Sequence, residues 1–171
     1  MPLIKLFLDI CLFRKGPQDV PAYTVLFWFA LLAFFLVGLI EAFFTGQWLE
    51  AMYKSLLEGT ILLAFVWISL MVSGKPNRLL QTAIAALGTD AFISSFGIVL
   101  AVVSIFASNP INPAIQLLFL ALLLWHMAVV AHILRHALSQ SLVIGVMLSI
   151  VYVAFTFQMI VLLFGPPTAT N

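Results

Sequence analysis

The sequence predicts an all-α integral membrane protein with five transmembrane helices and an N-terminal interfacial amphipathic helix. Three observations carry that prediction. Apolar segments at residues 22–45, 56–73, 84–107, 114–134 and 142–164 each fall within the ~17 to 25 residues that cross roughly 30 Å of hydrocarbon. A hydrophobic fraction of 64%, a charged fraction of 8% and a mean hydropathy of +1.22 leave too little polar surface to clothe a soluble globule. Finally, the charges of the connections segregate by parity. Lys5, Arg14 and Lys15 precede the first span, Lys75 and Arg78 separate the second from the third, and Arg135 with His136 separates the fourth from the fifth. The other connections carry one cation, Lys54, among Glu50 and Glu58. The positive-inside bias therefore puts the N-terminus in the cytoplasm and the C-terminus on the opposite side.

The spans use up nearly all of the 171 residues, so a single membrane domain is expected. Residues 1–15 precede the spans. Within them Leu3 to Phe13 is too short to cross, and Lys5 and Asp9 at i,i+4 draw a narrow polar stripe, the pattern of a helix lying in the interface. Asp9 interrupts the apolar run and Arg14 and Lys15 follow it, which is not the layout of a cleaved signal peptide. Gly16, Pro17 and Pro21 then break the helix, and Pro21 can open the next one. The first span carries Phe27, Trp28, Phe29, Phe34, Phe35, Phe43 and Phe44, with Gly38, Ala42 and Gly46 as a small-residue stripe for a neighbour.

Residues 46–55, with Trp48 and Tyr53, suit a short helix at the far interface, and Glu41 and Glu58 are expected to be interfacial and hydrated. Gly74 and Pro76 make a tight turn, as do the Asn-Pro steps of residues 108–113. In the fifth span Ser141, Gly145 and Ser149 form a second close-approach stripe, Gln116 and Gln158 are expected to bond across helices, and residues 165–171 read as a disordered tail. Trp67, Arg78 and Gly88 repeat at nearly the spacing of Trp125, Arg135 and Gly145, but three matches with one offset are too few to establish a duplication.

Function classes narrow from the same residues. The cations lie at membrane boundaries and form no extended basic face, so no nucleic-acid partner is expected. The single Cys11 excludes an internal disulfide and reads as an apolar filler. There is no nucleophile–base grouping, phosphate-binding glycine loop or nucleotide motif, so no catalytic residues and no enzyme are expected. His132 and His136 share a helix face, but His126 points elsewhere and all three histidines lie on one helix, which argues against zinc or a bis-histidine haem. No metal and no cofactor-binding residue is assigned.

What remains is an intramembrane polar site at Asp90, His126 and His132, because an ionisable group in hydrocarbon costs at least ~2.5 kcal/mol and seldom faces lipid. Counting from the far side puts Asp90 and His132 at similar depth, so the two could touch if the third and fourth spans are neighbours. The site then reads either as a packed polar contact that fixes helix register or as a proton relay.

The order of parts, a short surface segment, an Arg-Lys-Gly-Pro-x-Asp-x-Pro entry at Arg14 to Pro21, then five spans, resembles the bacterial branch of the Yip family, named for interaction with Ypt/Rab GTPases. The longer soluble N-terminal region typical of eukaryotic members is missing, so a GTPase partner does not carry over. The resemblance implies a small multi-pass protein of membrane organisation and brings no residue-level site. The expected function is a non-enzymatic scaffold or accessory subunit, in contact with membrane lipids and with a protein partner or further copies of itself. The alternative is a small proton- or ion-coupled permease using Asp90 and His132.

Overall fold

Long runs of Leu, Ala, Phe and Val with no internal proline leave the backbone one way to satisfy its polar groups away from water, and that is helix. The computed structural model describes residues 3–45, 48–106 and 112–165. The helices are α1 (Leu3–Cys11), α2 (Thr24–Thr45), α3 (Trp48–Val72), α4 (Leu79–Phe106), α5 (Pro113–Leu138) and α6 (Leu142–Phe164). Among the described residues there is no strand, and the chain is an all-α, multi-pass membrane protein. Helices α3, α4, α5 and α6 are each long and apolar enough to span, and α2 adds an apolar stretch over Thr24–Ile40. Gly46, most of the 108–113 turn, the tail beyond Gly165 and the side chains of Glu41 and Ala42 lie outside the described residues.

Two boundaries differ from the sequence reading. The expected short helix over residues 46–55 is the start of α3, which runs unbroken from Trp48 because no proline interrupts it. The expected ends of the third and fourth spans lengthen at the basic end: α4 starts at Leu79 behind a 3-10 turn, Pro76–Arg78, and α5 runs on to Leu138.

Helix α4 is the organiser, packing against α2, α5, α3 and α1, while α6 joins the bundle chiefly through α5. Small residues set these approaches. A Cβ on Gly145 would stand 2.5 Å from the Ala131 carbonyl oxygen, and Ser149 Oγ donates to the Met127 carbonyl at 3.0 Å. The Ser141–Gly145–Ser149 stripe therefore lies on α5, with Ser141 capping α6. At Gly38 a Cβ would collide with the Ser55 hydroxyl, which fixes the approach of α2 to α3.

The basic end is clamped. Lys75 Nζ donates to the Leu138 carbonyl, and Arg78 donates to the carbonyls of His136 and Ala137, at 3.2 and 3.0 Å, and to Ser139 Oγ. The last carbonyls of a helix have no intrahelical donor, so these cations cap α5 as well as marking topology.

Helix α1 is amphipathic, but not along the expected stripe: Leu6, Asp9, Ile10 and Cys11 are buried, whereas Leu3, Ile4, Lys5 and Leu8 are exposed, so Asp9 turns inward and does not share an exposed polar stripe with Lys5. Its buried face packs on the bundle itself. The Phe7 ring fills the space above Gly88 of α4, and Trp125 Nε1 donates to the Cys11 carbonyl at 3.0 Å. Phe13 follows with a left-handed backbone, φ 60°, its ring edge-on to His132 at 5.3 Å. Gly16 N–H donates to Asp19 Oδ2 at 2.8 Å, closing the 3-10 turn Pro17–Asp19 that leads into α2.

Candidate intramembrane polar site

Counting from the clamped basic end, Asp90 lies 11 residues along α4 and His126 12 residues before the end of α5, so about 16 and 18 Å deep at 1.5 Å per residue. The two meet: His126 Nε2–H donates to Asp90 Oδ1 at 2.9 Å. The expected Asp90–His132 contact is not formed. Counting from the opposite end matched Asp90 with His132, but α4 and α5 are level where Lys75 and Arg78 join them, and six residues separate the two histidines along the helix.

His132 has another task. Its Nε2 lies 2.9 Å from the Lys15 carbonyl, and since a carbonyl only accepts, Nε2 carries the proton. The ring also stands edge-on to His136 at 4.6 Å. His132 thus ties the chain leaving α1 to α5. Of the three sequence candidates, the structure joins Asp90 with His126 and separates His132 from both.

The Asp90–His126 pair sits at the inner end of a cleft of about 500 Å³ between α4, α5 and α6. The lining runs from Asp90 to Ala101 on α4, from His126 back to Phe119 on α5, and from Tyr152 to Ile160 on α6. All three stretches lead away from the basic end, so the cleft deepens from the far half of the bundle to the Asp90–His126 pair. On the basic side of the pair, Leu62, Val66, Ala86, Val130, Ile133 and Leu134 leave a cavity of only about 10 Å³.

Two residues join the site that the sequence reading placed elsewhere or passed over. Glu58, expected at a hydrated interface, lines the cleft with Asp90 and His126, because α3 begins at Trp48 and carries it ten residues inward. Tyr152 lies almost wholly buried beside the pair. One turn further along α6, Thr156 holds its buried hydroxyl against the same cleft. Glu58 was legible in principle from an unbroken helix reaching back to Trp48; Tyr152 gave no sequence signal beyond being a polar-tipped residue in a span. Gln116 and Gln158, expected between helices, are exposed instead.

Among the described residues no group of three His, Cys, Asp or Glu side chains is placed to hold a metal ion. A hydrogen-bonded carboxyl–imidazole pair held at the end of an apolar cleft can fix two helices, bind a polar or charged group brought in by a ligand, or exchange a proton with it. In comparisons with known proteins, no family model, no curated protein and no solved structure matches the chain.

Proposed function

We propose that the chain is a non-enzymatic accessory or scaffold protein of a bacterial inner membrane, its N-terminus and basic end in the cytoplasm. One observation carries this reading. The polar groups inside the bundle are used to hold helices together, Asp90 to His126, Ser149 to Met127, Trp125 to Cys11 and His132 to Lys15, while the outer stripes stay uncovered. On α6, Val143, Met147, Val151, Phe155 and Leu162 form such a stripe, exposed at helical spacing. Unbroken helices fit a docking role better than the interrupted pairs that build midplane transport sites. The layout shared with the bacterial Yip branch supports membrane organisation, and no GTPase partner is part of the proposal.

Affinity purification from native membranes, with a photo-crosslinking residue at Met147 of α6, tests this. The expected result is one stoichiometric protein partner, or a second copy, crosslinked at that stripe; crosslinks to lipid alone would remove the reading. Orientation is tested separately: cysteine reporters at Asn77 and Asn112 should label from the cytoplasmic and the opposite side respectively.

The permease reading is favoured by one specific feature, the position of Asp90 and His126 at the closed end of a one-sided cleft. A pH-gradient-driven flux in reconstituted vesicles, lost in Asp90→Asn at unchanged protein yield, would promote it over the scaffold. In that reading His126 takes the part the sequence gave to His132.

A further inference from the structure

We propose that the cleft between α4, α5 and α6 holds one neutral long-chain alcohol taken from the membrane, its hydroxyl head at the Asp90–His126 pair and its hydrocarbon chain running out toward the far end of the bundle.

Shape comes first. From Asp90 to Ala101 the cleft follows α4 for 11 residues, about 16 Å at 1.5 Å per residue, the reach of roughly a dozen extended carbon–carbon bonds of about 1.5 Å each. A volume of about 500 Å³ lies within the roughly 300 to 1,000 Å³ of small-molecule sites. Spread over that length it has a mean section of only about 30 Å², room for one chain abreast. The walls along it are hydrocarbon, with Ile98, Leu122, Leu123, Val153 and Phe157 among them.

The polar groups gather at the closed end. His126 donates to Asp90 Oδ1 at 2.9 Å, which uses one of the carboxyl group's two oxygens. Ser94, one turn out along α4, and Tyr152 bring hydroxyls to the same end, and Glu58 lies there with a partner of its own. A head group seated there meets acceptors and donors together. A hydroxyl answers both without a charge, donating to Asp90 and accepting from a neighbouring hydroxyl.

Other membrane lipids fit less well. A phospholipid of the far leaflet would enter methyl end first and set hydrocarbon against groups that want hydrogen-bond partners. A fatty carboxylate brings acceptors alone to the side of Asp90, and an ammonium head carries its charge to about the middle of the bilayer, where charge is costly. A ring head substituted on several sides is broader than the section.

Nothing here depends on the accessory reading, and a failed partner capture at Met147 would leave it standing. The full chain, in lipid nanodiscs, is photolabelled with two forms of 1-dodecanol, one with a diazirine beside the hydroxyl and one with it near the methyl end. The first should label Ile93 and Val153 at the inner end, and the second Ala101, Phe119 and Ile160 further out. Unlabelled 1-dodecanol in excess should lower both at least tenfold, whereas dodecane and dodecyltrimethylammonium at the same concentration should not. Asp90→Leu, which removes the acceptor, should lower labelling at least tenfold. Gly97→Phe should do the same without touching the pair, because the only atom near a Cβ at Gly97 is Leu122 Cδ2 at 3.6 Å, and the added ring would enter the cleft. Trp67→Phe, which lies in a different groove, should label as the parent does. If Asp90→Leu fails to fold, as judged by circular dichroism and gel filtration, Gly97→Phe and the order of the two labels decide the matter. Labels in the reverse order, labelling confined to the outer stripe of α6, parental labelling of folded Gly97→Phe, or displacement by dodecane, by the ammonium or by a substituted quinone as effective as by the alcohol would each overturn the proposal.

Discussion

The two halves of the α4–α5 pair are built from the same two helices and differ in almost every physical respect. Toward the basic end, Ala83 to Leu87 and Val129 to Leu134 are buried nearly without a break. Toward the other end, Val99, Val103, Leu117, Leu120 and Leu124 are exposed, and the gap between the helices opens into the cleft. Hydrophobicity cannot be the cause, since both halves are apolar. The closed half has small residues that admit a neighbour, Ala83, Ala85, Ala86 and Gly88, a wedge from α1 that lands on them, and two cations that bind one helix end to the other. In the open half Gly97 has nothing closer than Leu122 Cδ2. In a bilayer, where lipid is as apolar as leucine, close packing and directional bonds decide which surfaces join.

The largest expected effect sets glycine against glycine. At Gly145 an added methyl meets backbone at 2.5 Å and the Arg135 Cβ at 3.0 Å, so Gly145→Ala should destabilise by about 1 to 3 kcal/mol. Gly97→Ala should be neutral or stabilising by up to about 1 kcal/mol. Unfolding in mixed detergent micelles, followed by circular dichroism, measures both; equal losses would erase the distinction between the halves.

Next comes the wedge. Burial pushes the Cys11 thiol up to about 12 from 9.0, so the folded chain holds a proton that the unfolded chain releases above pH 9.0. Maleimide labelling at pH 8 should therefore be slow, and docking of α1 should weaken as the pH rises above about 9. Trp125→Phe removes the donor to the Cys11 carbonyl and should raise the labelling rate about tenfold, equivalent to ~1.4 kcal/mol of easier opening. An unchanged rate would show that Phe7 on Gly88 anchors α1 without help.

The clamp should be worth less, because its groups are partly solvated. Arg78→Gln should cost about 1 kcal/mol, whereas Lys54→Gln, which breaks an i,i+4 pair with Glu50 at the opposite end, should cost less than about 0.5 kcal/mol. Thermal midpoints of the two variants make the comparison. The smallest change is Ser149→Ala. Losing the bond to the Met127 carbonyl should cost about 0.6 kcal/mol, the average for an interhelical hydrogen bond in a membrane, and a loss above that of Gly145→Ala would reverse the ranking of packing over bonding.

Much of this molecule was written locally. The apolar spans, the small-residue stripe of Ser141, Gly145 and Ser149, and the presence of an ionisable group at Asp90 follow from the order of residues alone, because helix periodicity and transfer cost act within a segment, whereas the inward turn of Asp9 on α1 does not. Which histidine meets Asp90 does not. His126 and His132 stand on one helix about 9 Å apart in height, and the choice depends on how α5 slides and turns against α4. The tertiary structure makes that choice where Lys75 and Arg78 level the two helices at the basic end. It also leaves the cleft open. Each outcome depends on contacts between residues far apart in the chain, such as Arg78 with Ala137 and Phe7 with Gly88, and no local pattern encodes the register of one apolar helix on another.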